Sequence, residues 1–218
     1  MIKLPDFKKS FEYENNFYFT SAPNRLGKCL AHYELFRMAN ELEGDIIECG
    51  IFKGASFLRF ATFQEQFGKK KRKVIGFDTF GKFPETNYLK DKSKRQAFIE
   101  EAGESSISKD QLLSVIKRKG IKTPVELVEG DILKTVRKYV AKHPNLKIAL
   151  LNLDTDIYEP AVTILKYLYP LIVKGGILIS DDYKVFPGET KAIDDYFKGK
   201  NVEIKSFSKL KTPHYIIK

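Results

Sequence analysis

Carboxylates punctuate this chain at regular places. Asp154 and Asp156 follow the run Ile148-Ala149-Leu150-Leu151-Asn152-Leu153, and Asp181 and Asp182 follow Gly176-Ile177-Leu178-Ile179-Ser180. Glu48 closes Asp45-Ile46-Ile47, Asp78 closes Val74-Ile75-Gly76-Phe77, and Asp131 comes just after Val125-Glu126-Leu127-Val128. A carboxylate at the end of an apolar run has no packing reason to be there. It can ligate a hard cation, accept hydrogen bonds from a polyol, or take a proton. Asp154, Asp181 and Asp182 would repel one another at neighbouring strand ends unless something positive lay between them. A divalent cation with oxygen ligands answers that need, and Mg2+ with few carboxylates and several waters is the expected ion, held by Asp154, Asp181 and Asp182.

A second group has a different use. Glu48-x-Gly50-x-x-x-Gly54 stands between an apolar run and an amphipathic one. Glycines there let the backbone pass close to a ligand, and the helix that follows offers free N–H donors. The spacing is not the G-x-G-x-x-G of dinucleotide-binding folds, which argues against an NAD-dependent oxidoreductase. Glu48 would repel a pyrophosphate and suits a cationic group. Asp78 could accept hydrogen bonds from ribose hydroxyls, and Asp131 could meet an adenine amino group.

The elements that must carry these groups follow from the pattern. Aliphatic runs at 45–49, 74–78, 125–128, 147–153 and 176–180 read as strands buried on both faces of a parallel sheet. Helical spacing fills the gaps over about 24–42, 55–67, 132–142, from Glu159-Pro160 onward and 189–198, and Ser108-x-x-Gln111 has capping-box spacing. Two closing strands at 202–207 and 213–217 are too close in sequence for a crossover and must be antiparallel. The fold class expected is α/β, a doubly wound, mostly parallel seven-stranded sheet with an antiparallel C-terminal hairpin. Ligands in such sheets bind outside the carboxyl ends of the strands, where the acids fall.

With 218 residues and 43% hydrophobic content the chain reads as a single domain, 1–218. Residues 1–22 form an N-terminal arm, aromatic and charged without period, expected to fold over the domain, and residues 81–120 are an insertion. The formal charge of +10 favours anionic ligands. The run Lys69-Lys70-Lys71-Arg72-Lys73 reads as a solvated loop away from the ligand end. Cys29 and Cys49 suggest neither disulfide nor metal cluster. No stretch is long enough to span a bilayer, and the N-terminus lacks a signal peptide's apolar core, so a cytoplasmic protein without a membrane partner is expected.

The chain resembles the class I S-adenosylmethionine-dependent methyltransferases, and within them the macrocin O-methyltransferase (TylF-like) family, over about 20–196. The resemblance rests on Gly44-Asp45-Ile46-Ile47-Glu48-Cys49-Gly50, Phe77-Asp78-Thr79-Phe80-Gly81, Leu153-Asp154-Thr155-Asp156-Ile157-Tyr158-Glu159, Leu168-Tyr169-Pro170 and Gly175-Gly176 through Asp181-Asp182-Tyr183. A looser match is Ala192-Ile193-Asp194-Asp195-Tyr196-Phe197. It implies S-adenosylmethionine against Glu48, Gly50, Gly54 and Ser56, with Asp78, Thr79 and Phe80 at the ribose and Gly130 and Asp131 near adenine. Thr20, Ser108 and Asp154 also match cofactor-contacting positions. The chain departs from the family in Glu129-Gly130-Asp131-Ile132, where an aromatic often follows the glycine. The resemblance also implies Mg2+ on Asp154, Asp181 and Asp182.

The implied reaction is O-methylation of a sugar, free, nucleotide-linked or glycosidic. A sugar hydroxyl is a poor nucleophile, so a cation to lower its pKa and a carboxylate to take its proton are required. Asp154 is the first candidate base and Asp156 the second. Among the alternatives His32, His143 and His214, His143 reads as a surface residue and His214 as a packing one. The insertion carries Lys82, Lys90, Lys92, Lys94 and Arg95 and could close as a lid over an anionic acceptor such as a nucleotide-linked deoxysugar. Other hydroxylated metabolites are the alternative. Nucleic acid is disfavoured because no N-P-P-Y-type motif or aromatic-interleaved basic groove is present. A homo-oligomer is left open.

Overall fold

The computed structural model describes residues 2–218. In chain order the elements are α1 (Ser10–Thr20), α2 (Pro23–Ala39), β1 (Asp45–Cys49), α3 (Ala55–Phe67), β2 (Val74–Asp78), α4 (Leu89–Ala102), α5 (Lys109–Arg118) and β3 (Val125–Glu129). They continue as α6 (Ile132–Lys142), β4 (Ile148–Leu153), α7 (Tyr158–Tyr167), β5 (Ile172–Ser180), α8 (Pro187–Phe197), β6 (Lys205–Ser206) and β7 (His214–Ile217). The seven strands form one sheet in the order β3-β2-β1-β4-β5-β7-β6. The first five are parallel, and β7 runs antiparallel to both β5 and β6. The order reverses between β1 and β4, the place where a doubly wound sheet opens its ligand crevice.

Strand side chains alternate between two cores. Ile46, Val74, Leu127, Leu150, Ile177 and Ile179 pack with Leu35 and Phe36 of α2, Phe57 and Phe60 of α3, and Leu112 and Ile116 of α5. Ile47, Ile75, Phe77, Leu151, Leu153 and Leu178 face α6, α7 and α8 through Val136, Ile164, Leu165 and Ile193. The strands read as apolar runs because both faces are covered.

The structure departs from the sequence reading in four places. β5 begins at Ile172 rather than 176, because Gly175, at φ +80, carries a bulge that shifts the register between the Ile148↔Ile172 and Leu150↔Ile177 pairs. The strand expected over 202–207 shrinks to Lys205–Ser206, since Val202 and Ile204 spend their apolar side chains on the core beside α8. The N-terminal arm folds over the domain only at its start, where Ile2 and Leu4 pack on the core and Phe7 meets Arg118, while its helix over Ser10–Thr20 buries none of its side chains. The insertion over 81–120 divides in two. α5 is the crossover helix between β2 and β3, and the excursion is the loop after β2 together with α4.

That excursion is tied down across the crevice. The buried Asp91 of α4 accepts hydrogen bonds from Tyr158 N (3.0 Å) and Gly188 N (2.7 Å), the first residue of α7 and the second of α8. Arg95 donates to the carbonyls of Pro84 (2.7 Å) and Phe83 (2.9 Å) and to Glu85 (2.9 Å). Glu159 accepts from Thr86 Oγ1 (3.0 Å) and Asn87 N (2.8 Å).

Candidate active site

A cavity of about 1040 Å3 opens at the carboxyl ends of β1, β2, β4 and β5. One side of it is built on the turn after β1. Gly50 adopts φ +91, and a Cβ there would lie 1.8 Å from the carbonyl oxygen of Asp154, so only glycine lets β1 and β4 close at this point. Asp154 N in turn donates to Cys49 O (3.0 Å), which fixes the acid beside the glycine turn.

Asp78 organises the same region. One carboxylate oxygen accepts from Ile51 N (2.7 Å) and Phe52 N (3.1 Å). The other accepts from Phe80 N (2.6 Å) and Ser106 Oγ (3.1 Å). Two loops are thus pinned by a single side chain. Glu48 lies one layer deeper. It is fully buried and takes a hydrogen bond from Ser56 Oγ (2.6 Å), while its other oxygen has no partner among the described residues. Burial pushes its carboxyl up to about 8, against the pull of the Ser56 hydrogen bond.

The acid cluster stands at the far side of the turn. Asp154, Asp156 and Asp182 bring carboxylate oxygens within 4.8 Å of one another. Burial raises the proton affinity of all three, reinforced by Asp181 for Asp154 and Asp182 and by Asp182 for Asp156. Asp181 behaves differently. It continues the phase of Ile177 and Ile179 toward α2, where it pairs with Lys28 and with His32 Nε2 (2.9 Å). Burial pushes its carboxyl up, but the Lys28 ammonium and the His32 hydrogen bond overcome this and hold it well below the usual range. The structure therefore gathers Asp154, Asp156 and Asp182, with Asp181 set against two basic side chains instead of completing the expected trio. Asp156 reaches the cluster through a left-handed backbone at φ +64. Three oxygen donors drawn together under burial suit a hard divalent cation, and the cavity-lining Thr155 Oγ1 beside them has no partner among the described residues.

Among the other sequence-predicted site residues, Gly50, Ser56, Thr79 and Asp131 also line the cavity, together with Asp78, the three clustered acids and Asp181. Glu48, Gly54, Phe80, Gly130, Ser108 and Thr20 do not. Gly54, at φ +87, precedes α3, and Phe80 packs in the core under α5. Ser108 caps α5 through Gln111 N (3.2 Å), and Asp131 caps α6 through Leu133 N (2.9 Å). Thr20 ends α1 on the surface, its hydroxyl on Asn16 O (2.6 Å). His143 stacks on Tyr139 at the opposite end of the sheet, and His214 packs edge-on against Tyr183.

Lys28 and Glu189 touch the strand-end acids and were passed over by the sequence reading. Lys28 and His32 are spaced i, i+4 on the face of α2 that also buries Leu35 and Phe36, and that spacing was the available signal. Glu189 is buried behind Asp182, accepting from Ser180 Oγ (2.7 Å) and Asp182 N (3.1 Å). Of the cations carried by the insertion, Lys94 lines the cavity, with its ammonium 5.7 Å from the Phe186 ring centre. Arg95 is buried as a tie within the excursion after β2, and Lys92 lies outside the cavity. Arg25 and Arg59 line the opposite wall and make no ion pair among the described residues.

The family model of the macrocin-O-methyltransferases (TylF) matches residues 24–208, which contain every element of this site. The chain belongs to the TylF family. A 4'-O-methyltransferase acting on 8-demethyl-8-(2,3-dimethoxy-alpha-L-rhamnosyl)-tetracenomycin-C, from Streptomyces olivaceus, is 26% identical over 150 residues, 68% of this chain and 56% of that protein. Demethyldecarbamoylnovobiocin O-methyltransferase of Streptomyces niveus is 22% identical over 176 residues, 73% of this chain and 60% of that one. Each alignment thus spans less than two thirds of the relative's own length. In structure, the calicheamicin methyltransferase CalS11, a TDP-rhamnose 3'-O-methyltransferase, superposes with a TM-score of 0.79 at 25% identity. That match covers 95% of this chain and 85% of CalS11. The TylF chain described here thus has a class I methyltransferase fold. Among its described residues, no helix is long and apolar enough to cross a membrane.

Proposed function

We propose that this TylF-family chain is an O-methyltransferase that carries the methyl group of S-adenosylmethionine to a sugar hydroxyl, with Mg2+ at Asp154, Asp156 and Asp182. A nucleotide-linked deoxysugar is the favoured acceptor. The observation that carries this reading is the convergence of three carboxylates within 4.8 Å, in the same cavity as the Gly50 turn and Asp78. A cofactor on the glycine side and a hydroxyl on the acid side would face each other across Gly50 and Asp154. Like CalS11, the chain would meet an acceptor bearing a diphosphate, and the cavity-lining cations Arg25, Arg59 and Lys94 supply charge for it.

In this reading the acceptor oxygen forms a bond to the methyl carbon as the carbon–sulfur bond breaks, leaving a neutral thioether. The hydroxyl proton would pass to Asp154 or Asp156, the carboxylates that stand at the acid side of the cavity. A bound divalent cation would supply Lewis acidity that lowers the pKa of a coordinated hydroxyl. Glu189 holds the backbone of Asp182, and Glu189 N donates to Asp156 O (3.2 Å), so two of the three acids are oriented by α8.

The test is incubation of the protein with S-adenosylmethionine and a panel of nucleotide-linked deoxysugars, with product mass as the readout. Methylated sugar should form with Mg2+, vanish with excess chelator and return when the metal is restored. Asp182→Asn should lose turnover while unfolding at a higher temperature in the metal-free state, because a crowded charge is removed. Full turnover in chelator would refute the metal, and a protein inert toward every sugar yet active on a phenol would refute the acceptor.

A further inference from the structure

Asp181 stands among the strand-end acids with both of its oxygens engaged. Its Oδ1 meets His32 Nε2 at 2.9 Å, and its Oδ2 is paired with the Lys28 ammonium. Both partners come from α2 and lie one turn apart, so a single helix face closes both sides of one carboxylate. Among the described residues, Lys28 is the one lysine or arginine that forms an ion pair with any of Asp154, Asp156, Asp181 and Asp182.

The two partners are not equivalent. His32 is fully buried and stacked on Phe60, ring centres 5.2 Å apart, so the core fixes its place. The Lys28 side chain is 21% exposed and lines the cavity, on a flexible four-carbon stem. Burial pulls the proton affinity of its ammonium down, but Asp181, Asp154 and Asp182 together outweigh that and hold it above the usual lysine range. Lys28 therefore feels the whole group of acids and not Asp181 alone.

This bears on the Mg2+ of the proposed function, and the inference rests on that reading. A divalent cation bound through oxygen takes its affinity from the number and charge of the carboxylates it can reach. Asp181 brings a fourth carboxylate to the end of β5, yet an oxygen paired with an ammonium is electrostatically closed to a second cation. We propose that Lys28 is a positioning residue that keeps Asp181 out of the metal's ligand set and so lowers the divalent-ion affinity of Asp154, Asp156 and Asp182. Removing its charge leaves Asp181 Oδ2 available to the ion, while His32 keeps hold of Oδ1.

Titration calorimetry with Mg2+ on the whole chain tests this and needs neither methyl donor nor acceptor. Lys28→Met, which keeps a long stem and loses the charge, should bind Mg2+ roughly tenfold more tightly than the wild type. Lys28→Gln repeats the comparison with a polar tip, should Lys28→Met fail to fold. Lys28→Arg keeps the charge and should show no such gain. Asp181→Asn should weaken Mg2+ roughly tenfold more in the Lys28→Met background than in the wild type, because only there is Asp181 a ligand. A merely structural Lys28 would lower the melting temperature of the metal-free protein without tightening Mg2+. An affinity that neither neutral variant raises overturns the inference, as do a like gain in Lys28→Arg and equal effects of Asp181→Asn in the two backgrounds. If the wild type takes up no Mg2+ while Lys28→Met does, the inference stands and the metal of the proposed function falls. If neither takes it up, both fall.

Discussion

Replacing Glu48 by Gln should stabilise the protein in alkaline solution and leave it unchanged in acid. The carboxyl is fully buried at the end of β1, and its folded-state pKa rises from 4.5 to about 8, chiefly through burial. A group whose folded pKa is raised binds protons more tightly when folded. Its ionisation therefore costs the native state stability progressively as pH climbs from the unfolded value to the folded one. At about 1.4 kcal/mol for each tenfold change in proton affinity, the full span corresponds to roughly 5 kcal/mol, and relaxation around the charge reduces this to about 2–5 kcal/mol. Gln keeps an oxygen for the Ser56 hydroxyl and carries no charge to bury. Wild type and Glu48→Gln should thus melt together near pH 4.5, diverge through the neutral range, and differ by a constant amount above pH 8, on the order of 5–15 °C for a domain of this size. Asp154, Asp156, Asp182 and Glu189 shift in the same direction, so the wild-type curve also falls for other reasons and the difference between the two proteins is the diagnostic quantity. Scanning calorimetry across this range is the assay. A difference that stays flat from pH 4.5 to pH 8, or a variant less stable at pH 8, would refute the reasoning.

Asp91→Ala should cost about 2–4 kcal/mol in chemical denaturation, because two backbone N–H groups and the buried start of α8 lose their shared acceptor. If α4 is the proposed lid over the acceptor, the substitution should also raise the acceptor's Michaelis constant more than the cofactor's; equal effects on both would disprove that proposal. Arg25→Ala with Arg59→Ala should raise the Michaelis constant for a nucleotide-linked sugar by roughly tenfold and flatten its salt dependence, with stability unchanged. An unaltered constant would favour an uncharged glycoside.

Much of the fold was legible because the sheet is buried on both sides. Five aliphatic runs separated by helical spacing admit few arrangements, and the short link before the last strand forces an antiparallel edge. The closing hairpin was overread for the same reason. Val202 and Ile204 alternate like strand residues, yet they serve the core from a loop, and spacing alone does not separate the two uses. The arm was harder still. The aromatics of its helix over Ser10–Thr20 are not buried in the chain's own core, so their pattern gave no helical face to read.

The chain by itself determined which residue types stand at the carboxyl ends of the strands, because strand length, glycine placement and apolar continuity are local properties. It thereby placed acids around one crevice and a glycine where β1 and β4 nearly touch. Tertiary structure decided how those acids divide. Asp181 and Asp182 are neighbours in sequence, but alternation along the strand sends the first toward Lys28 and His32 on α2 and leaves the second with Asp154 and Asp156. Which acid faces a fixed cation and which is left to gather with its like depends on the helices packed over each face of the sheet. Those helices lie far from the acids in sequence: Lys28 and His32 reach Asp181 from the first part of the chain, across 149 residues in the case of His32.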